Sequence, residues 1–162
     1  LIDHDKQGTL RHLVSIPDYP ITIRELERIE DIDALPEDIK IVDCPPYLHS
    51  YTEDLLRATS FILIPSLAGY ADFFALNDLA DTVKRSGTPA AIVLNKVKTR
   101  TALTREVTDL LTDIGFPVLQ TQIINRVSYA RALMVGSVFD IDPKAAEEVN
   151  KLASEVFEYL QQ

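Results

Sequence analysis

The 162 residues amount to one domain's worth of chain, long enough to bury a core of its own. Apolar residues at 46% and charged residues at 25% are ordinary for a soluble globular protein, and no apolar run approaches the length of a membrane span. A net charge of −9 argues against nucleic-acid binding by the surface as a whole, and the single cysteine, Cys44, excludes an intramolecular disulfide and fits a reducing, cytoplasmic setting.

The chain opens on Leu1-Ile2-Asp3, and its only methionine is Met134. An apolar pair running straight into an acidic loop reads as the tail of a β-strand cut midway, so a fragment of a longer protein is expected. Further strands are expected at Ile21–Ile23, Ile39–Asp43, Phe61–Pro65, Ala90–Asn95 and Val118–Ile123. Of these, Ile39–Asp43 and Ala90–Asn95 are near-continuous apolar runs, as in strands covered on both faces. Between them lie stretches of helical period. Tyr51–Thr59 follows Ser50 as a cap, Ala71–Arg85 stops at Gly87, and Thr101–Ile114 carries Leu103, Val107, Leu110, Leu111 and Ile114 on one face. Val127–Val135 stops at Gly136, and Pro143–Leu160 begins with proline in its first turn. The alternation predicts one doubly wound α/β domain over residues 1–162, with a mostly parallel sheet and helices on both faces.

In such sheets ligands bind at the carboxyl ends of the strands. The first strand leaves Asp3-His4-Asp5-Lys6-Gln7-Gly8 there, the third Asp43-Cys44-Pro45-Pro46, the fourth Pro65-Ser66, the fifth Asn95-Lys96 and the sixth Gln122 to Arg126. Acids favour turns and gather at strand ends for that reason alone. Three of them at such ends suggest a divalent cation site, and hard oxygen ligands favour Mg²⁺, which commonly arrives with phosphate. His4 and His12 lack the spacing of metal ligands, and Phe73-Phe74 reads as core or subunit contact.

The same residues carry a family resemblance. Leu1-Ile2-Asp3-His4-Asp5-Lys6-Gln7-Gly8 resembles the D-x-D-P-Q-G motif of ParA/MinD-type, deviant-Walker P-loop ATPases, most of all the small plasmid-partition ParA proteins. Ile41-Val42-Asp43-Cys44-Pro45-Pro46 resembles their Walker B and switch II segment, and Ile62-Leu63-Ile64-Pro65-Ser66 the L-I-P-V stretch after it. Val93-Leu94-Asn95-Lys96 is similar to the strand ending in Asn-Lys. Thr121-Gln122-Ile123, Arg126, Ala132, Gly136, Val138-Phe139 and Asp142-Pro143-Lys144 resemble the closing segment. The phosphate loop of the family, K-G-G-x-G-K followed by Ser or Thr, is not in the sequence. Lys6 stands where proline is usual, and Ile124 where many relatives have proline.

The resemblance implies a P-loop NTPase-like fold lacking its first strand and helix, ATP and Mg²⁺ as cofactors, and poor ATP binding by this chain alone. It implies that Asp5 orients the attacking water while Asp3 supports its loop. Asp43 would hold Mg²⁺ through a water, and Gln7, Gly8, Pro45 and Pro46 would belong to the switches. Asn95 would read adenine with backbone around Ile123 and Ile124. It further implies an ATP-dependent homodimer, a ParB-like adaptor, and no membrane partner, the acidic Pro143–Gln162 being unsuited to one. Non-specific DNA would meet a strip of Lys96, Lys98, Arg100, Arg105, Arg126 and Arg131. Two other readings remain. A phosphoacceptor receiver domain would use Asp3/Asp5, Asp43, Ser66 and Lys96, but Pro45-Pro46 and the closing segment have no place in it. A MinD-like cell-division ATPase is a sibling within the same superfamily.

Overall fold

Short apolar runs form the strands and the stretches of helical period form the helices, alternating from end to end. In the computed structural model, residues 1–5, 10–25, 29–45, 52–98 and 102–161 are described. In chain order they form β1 (Ile2–Asp3), α1 (Arg11–Val14), β2 (Arg24–Glu25), a 3₁₀ segment (Ile29–Ala34), β3 (Val42–Asp43), α2 (Thr52–Ala58) and β4 (Ile62–Leu67). Then follow α3 (Tyr70–Ser86), β5 (Ala90–Val97), α4 (Ala102–Asp113), β6 (Val118–Ile124), α5 (Val127–Val135) and α6 (Pro143–Leu160). The strands make two parallel three-stranded sheets, ordered β2-β1-β3 and β4-β5-β6. This is the α/β architecture of doubly wound, P-loop NTPase-like folds.

β5 explains its own sequence. Ile92, Leu94 and Val97 face a core completed by Ile64, Val83, Val107 and Leu111, whereas Ala91 and Val93 turn to the other side. There Leu152, Val156 and Tyr159 of α6 close over them, together with Phe61 and Leu119. Burial on both faces removes any reason for polar alternation, hence the continuous apolar run. Helix boundaries follow the expected stops: α3 ends at Gly87 and α5 at Gly136, both left-handed. Asp142 starts α6 by accepting the N–H groups of Lys144 and Ala145 at 3.0 and 3.3 Å, with Pro143 in the first turn.

Some expectations need correction. β1 is a central strand, flanked by β2 and β3. Among the described residues the outermost strands are β2 and β3 of one sheet and β4 and β6 of the other. The strand expected at Ile21–Ile23 is displaced to Arg24–Glu25. The Thr22 carbonyl accepts from the Leu1 backbone nitrogen, and the Arg24 guanidinium is held by Glu37. Ile39 and Ile41, expected inside a covered strand, are 61% and 63% exposed, because only Val42–Asp43 pairs as strand. Phe73 packs against the core while its neighbour Phe74 stays exposed. The expected cap Ser50 and the first residues of two expected helices, Tyr51 and Thr101, lie outside the described residues.

Candidate functional site

Parallel pairing of β1 with β3 sets Asp3 directly beside Asp43. The next step of the ladder continues past the strands, where the His4 N–H donates to the Asp43 carbonyl at 3.0 Å. Asp3 is 6% exposed, and its Oδ1 accepts the Asp5 N–H at 3.2 Å, an Asx turn that folds the Asp5 backbone back over the strand end. The three acids thus share one strand-end corner. Electrostatics registers the crowding: the Asp43 carboxyl pKa is raised by desolvation first, then by repulsion from Asp3 and Asp5. Cys44 is exposed as a residue, but its Sγ leans toward the Val42 carbonyl, and desolvation plus the Asp43 carboxylate push the thiol up to about 11. It therefore stays protonated and unreactive at neutral pH.

Among the described residues no three His, Cys, Asp or Glu side chains are gathered closely enough to hold a metal ion by themselves. The donor chemistry nevertheless fits a hard divalent cation held by one carboxylate and water, with the remaining oxygens from elsewhere. Gln7, Gly8 and Pro46, and with them most of both expected switches, lie outside the described residues. Pro45 is within them and half-buried.

The second sheet prepares its own strand end. Between the register pairs Leu94–Gln122 and Val97–Ile124, Asn95 and Lys96 of β5 lie opposite Ile123 alone, a β-bulge. Lys96 takes the left-handed region at φ 52°, and its N–H donates to Asn95 Oδ1 at 2.9 Å. A non-glycine residue held there is uncommon, and such positions gather at functional sites. Ile123 and Ile124 face opposite cores. Their surrounding backbone donors are largely committed: the Ile124 N–H donates to Glu148 Oε2 at 3.1 Å, and the Asn125 N–H to the Val97 carbonyl at 3.0 Å.

The basic residues divide. Lys96, Lys98, Arg105 and Arg131 are exposed, and Arg100 lies outside the described residues. Arg126 is held by Glu148 Oε1 through Nε and a terminal nitrogen at 3.0 and 2.6 Å. Burial pushes the Glu148 carboxyl up, but Arg126, the Tyr129 hydroxyl at 2.9 Å and the Ile124 N–H outweigh it and hold the pKa below the usual carboxylate range. Burial and that same carboxylate push the Tyr129 hydroxyl well above the phenol range. The Ser128 hydroxyl completes the group by donating to Asp142 Oδ2 at 2.8 Å. Sequence reasoning missed Glu148 and Tyr129, since a glutamate amid Glu147, Lys151 and Glu158 reads as solvated helix surface. Ser66, the acceptor hydroxyl of a receiver-like reading, is buried and donates to its neighbour's carbonyl, at Leu67.

Fold and strand-end acids together define the class, a doubly wound P-loop NTPase-like α/β domain. No protein-family profile matches the chain. Among curated proteins it is 32% identical, over 175 aligned positions, to the maintenance of carboxysome distribution protein A of Halothiobacillus neapolitanus, an alignment spanning 96% of this chain and 81% of that protein. The chain belongs to the ParA/MinD family of ATPases. No described helix is long and apolar enough to cross a membrane.

Proposed function

We propose that this chain is the switch-and-base portion of an Mg²⁺-dependent, cargo-positioning ATPase that dimerises on ATP and rides non-specifically on DNA. The observation that carries the reading is the register pair Asp3–Asp43, with Asp5 turned back onto Asp3. Phosphoryl transfer to water requires a positioned nucleophile and neutralised oxygens rather than covalent help. Asp5, on the half-buried turn, would accept a proton from and orient the water. Asp3, already committed to the turn, would be its support. Asp43 would hold Mg²⁺ through a water, and Mg²⁺ would supply neutralisation of phosphate oxygens. Asn95 would read adenine from the bulge, with Ile123 and the Ile124 carbonyl beside it, because the Ile124 N–H is already engaged.

In the protein joined to the phosphate loop that the resemblance calls for, Asp5→Ala should slow hydrolysis and leave ATP-dependent dimerisation intact. Asp43→Ala should weaken Mg-nucleotide binding itself. Equal loss of binding in both variants contradicts the assignment.

DNA would meet Lys96, Lys98, Arg100, Arg105 and Arg131. Arg126, neutralised by Glu148, would add little. Binding should be sequence-indifferent and fall steeply with salt, and charge reversal of Lys98 and Arg105 should abolish it. The cargo, delivered by a ParB-like adaptor, would be a plasmid or chromosome. A second reading, favoured by the name of the carboxysome-distribution relative, makes it a large protein body. Deleting the gene and asking which is mislocalised, replicon or protein body, separates the two.

A further inference from the structure

The most unusual local geometry outside the acid corner lies in β6. Register runs from Ile92–Val118 to Leu94–Gln122, so a single β5 residue, Val93, lies opposite three of β6: Leu119, Gln120 and Thr121. A strand with surplus residues bends and leaves amide groups that its neighbour strand does not take. Both are met by one side chain from another element. Glu155 of α6 accepts the Gln120 N–H through Oε1 at 2.6 Å and the Thr121 N–H through Oε2 at 3.0 Å, one oxygen for each of two consecutive amides. Seven residues earlier, two helical turns away on the same side of α6, Glu148 accepts the Ile124 N–H at 3.1 Å.

We propose that Glu155 and Glu148 are positioning residues: a two-point carboxylate clamp that fixes the surplus residues of β6 and so sets where Gln122 to Asn125 stand beside the Asn95–Lys96 bulge. This rests on the reading of that strand end as the base side of a nucleotide site. Charged acceptors make the stronger hydrogen bonds to amides, and an ionised carboxylate offers acceptors only. Without the clamp the surplus residues are free to shift along β5, and a one-residue slip turns every side chain beyond it to the other face. Anchoring by α6 also couples that strand end to the packing of Leu152 and Val156. Discrimination between bases at β6 would therefore depend on the packing of α6.

The test uses Glu155→Gln, which keeps shape but presents an amide donor to one of the two backbone donors. Amide hydrogen exchange by NMR on the whole chain should show protection of Gln120 and Thr121 falling about tenfold or more, the loss of one good hydrogen bond. Resonances of Asn125 and Lys96 should move with it. Glu148→Gln should do the same at Ile124. Unchanged protection at these amides overturns the clamp. Titration with Mg-ADP and Mg-GDP, followed by shifts at Asn95 and Asn125, reads the functional half. With the protein joined to the phosphate loop, the preference for adenine should shrink at least about threefold in Glu155→Gln, on the scale of a modest displacement of one contact. Loosened amides with an unaltered base preference make the clamp merely structural and overturn the positioning role. Absence of any nucleotide shift in the protein joined to the phosphate loop overturns that role together with the nucleotide reading, and the exchange data then judge the clamp alone.

Discussion

Asp3 and Asp43 stand side by side as register partners on parallel strands, one buried to 6% exposure and the other open to solvent. Desolvation first, and repulsion from Asp3 and Asp5 second, disfavour the ionised form of Asp43. The raised pKa of Asp43 states the sign: the folded chain binds that proton more tightly than the unfolded chain does. Stability from this group is present at low pH and is lost as pH rises through its raised folded value.

Asp43→Asn should accordingly stabilise the chain at neutral pH. The gain should be small, about 0.5 kcal/mol or less once solvent screening is allowed for. Urea unfolding of both forms at neutral and acid pH checks it.

The opposite sign holds at Glu148, whose pKa is depressed. Its contribution is complete above the ordinary glutamate value of 4.5 and disappears as pH falls through the depressed folded value. Glu148→Gln should cost about 1–3 kcal/mol at pH 7, the penalty of leaving half-buried partners unpaired. Its acid-unfolding curve should be correspondingly flatter. A variant as stable as the native chain at pH 7 would mean that Arg126 and Tyr129 find water instead.

Gly136 ends α5 at φ 80°, and a Cβ there would clash with the Pro20 ring, on the segment whose Tyr19 hydroxyl donates to the Leu133 carbonyl at 3.1 Å. Gly136→Ala meets both backbone strain and a ring that cannot yield without moving its chain. A loss of at least about 1 kcal/mol is expected, visible as a lowered thermal midpoint. Loss of the Tyr19 contact should make residues 10–20 more open to proteolysis.

Lys96 presents the reverse case. Left-handed backbone costs a side-chain-bearing residue about 1–2 kcal/mol, while glycine gives back roughly 0.5–1 kcal/mol through its freer unfolded state. Lys96→Gly should therefore be at least as stable as Lys96→Ala, the inverse of the order at an ordinary strand position. Both should weaken DNA binding alike if the ammonium is what matters, as a salt titration of affinity would show.

Much of this was legible in the chain itself. The helices from Tyr70 onward and the two long strands follow from period and stops, because each is decided by residues close in sequence. The acid corner was legible as well, since Asp3, Asp5 and Asp43 each end an apolar run. What escaped notice belongs to pairs of elements. Neither bulge has a signature in β5 or β6 alone, because a register exists only between two strands. Glu148 and Glu155 look like any solvated helix face until the backbone amides of β6 are seen beneath them. The exposure of Ile39 and Ile41 was equally hidden, since an apolar run does not say whether anything covers it.

One side of the second sheet ends at β6 with its surplus amides occupied by α6. By contrast, Ile39 and Ile41, which lead into the outermost strand β3, and Leu63 and Leu67 on outermost β4 remain exposed. Apolar strand edges of this kind are templates for unwanted pairing between molecules. The chain's shelf life in solution should therefore be set by concentration, with turbidity growing from the β3 and β4 edges. Gatekeeper lysines belong at Ile41 and Leu63 for anyone needing a quiet sample.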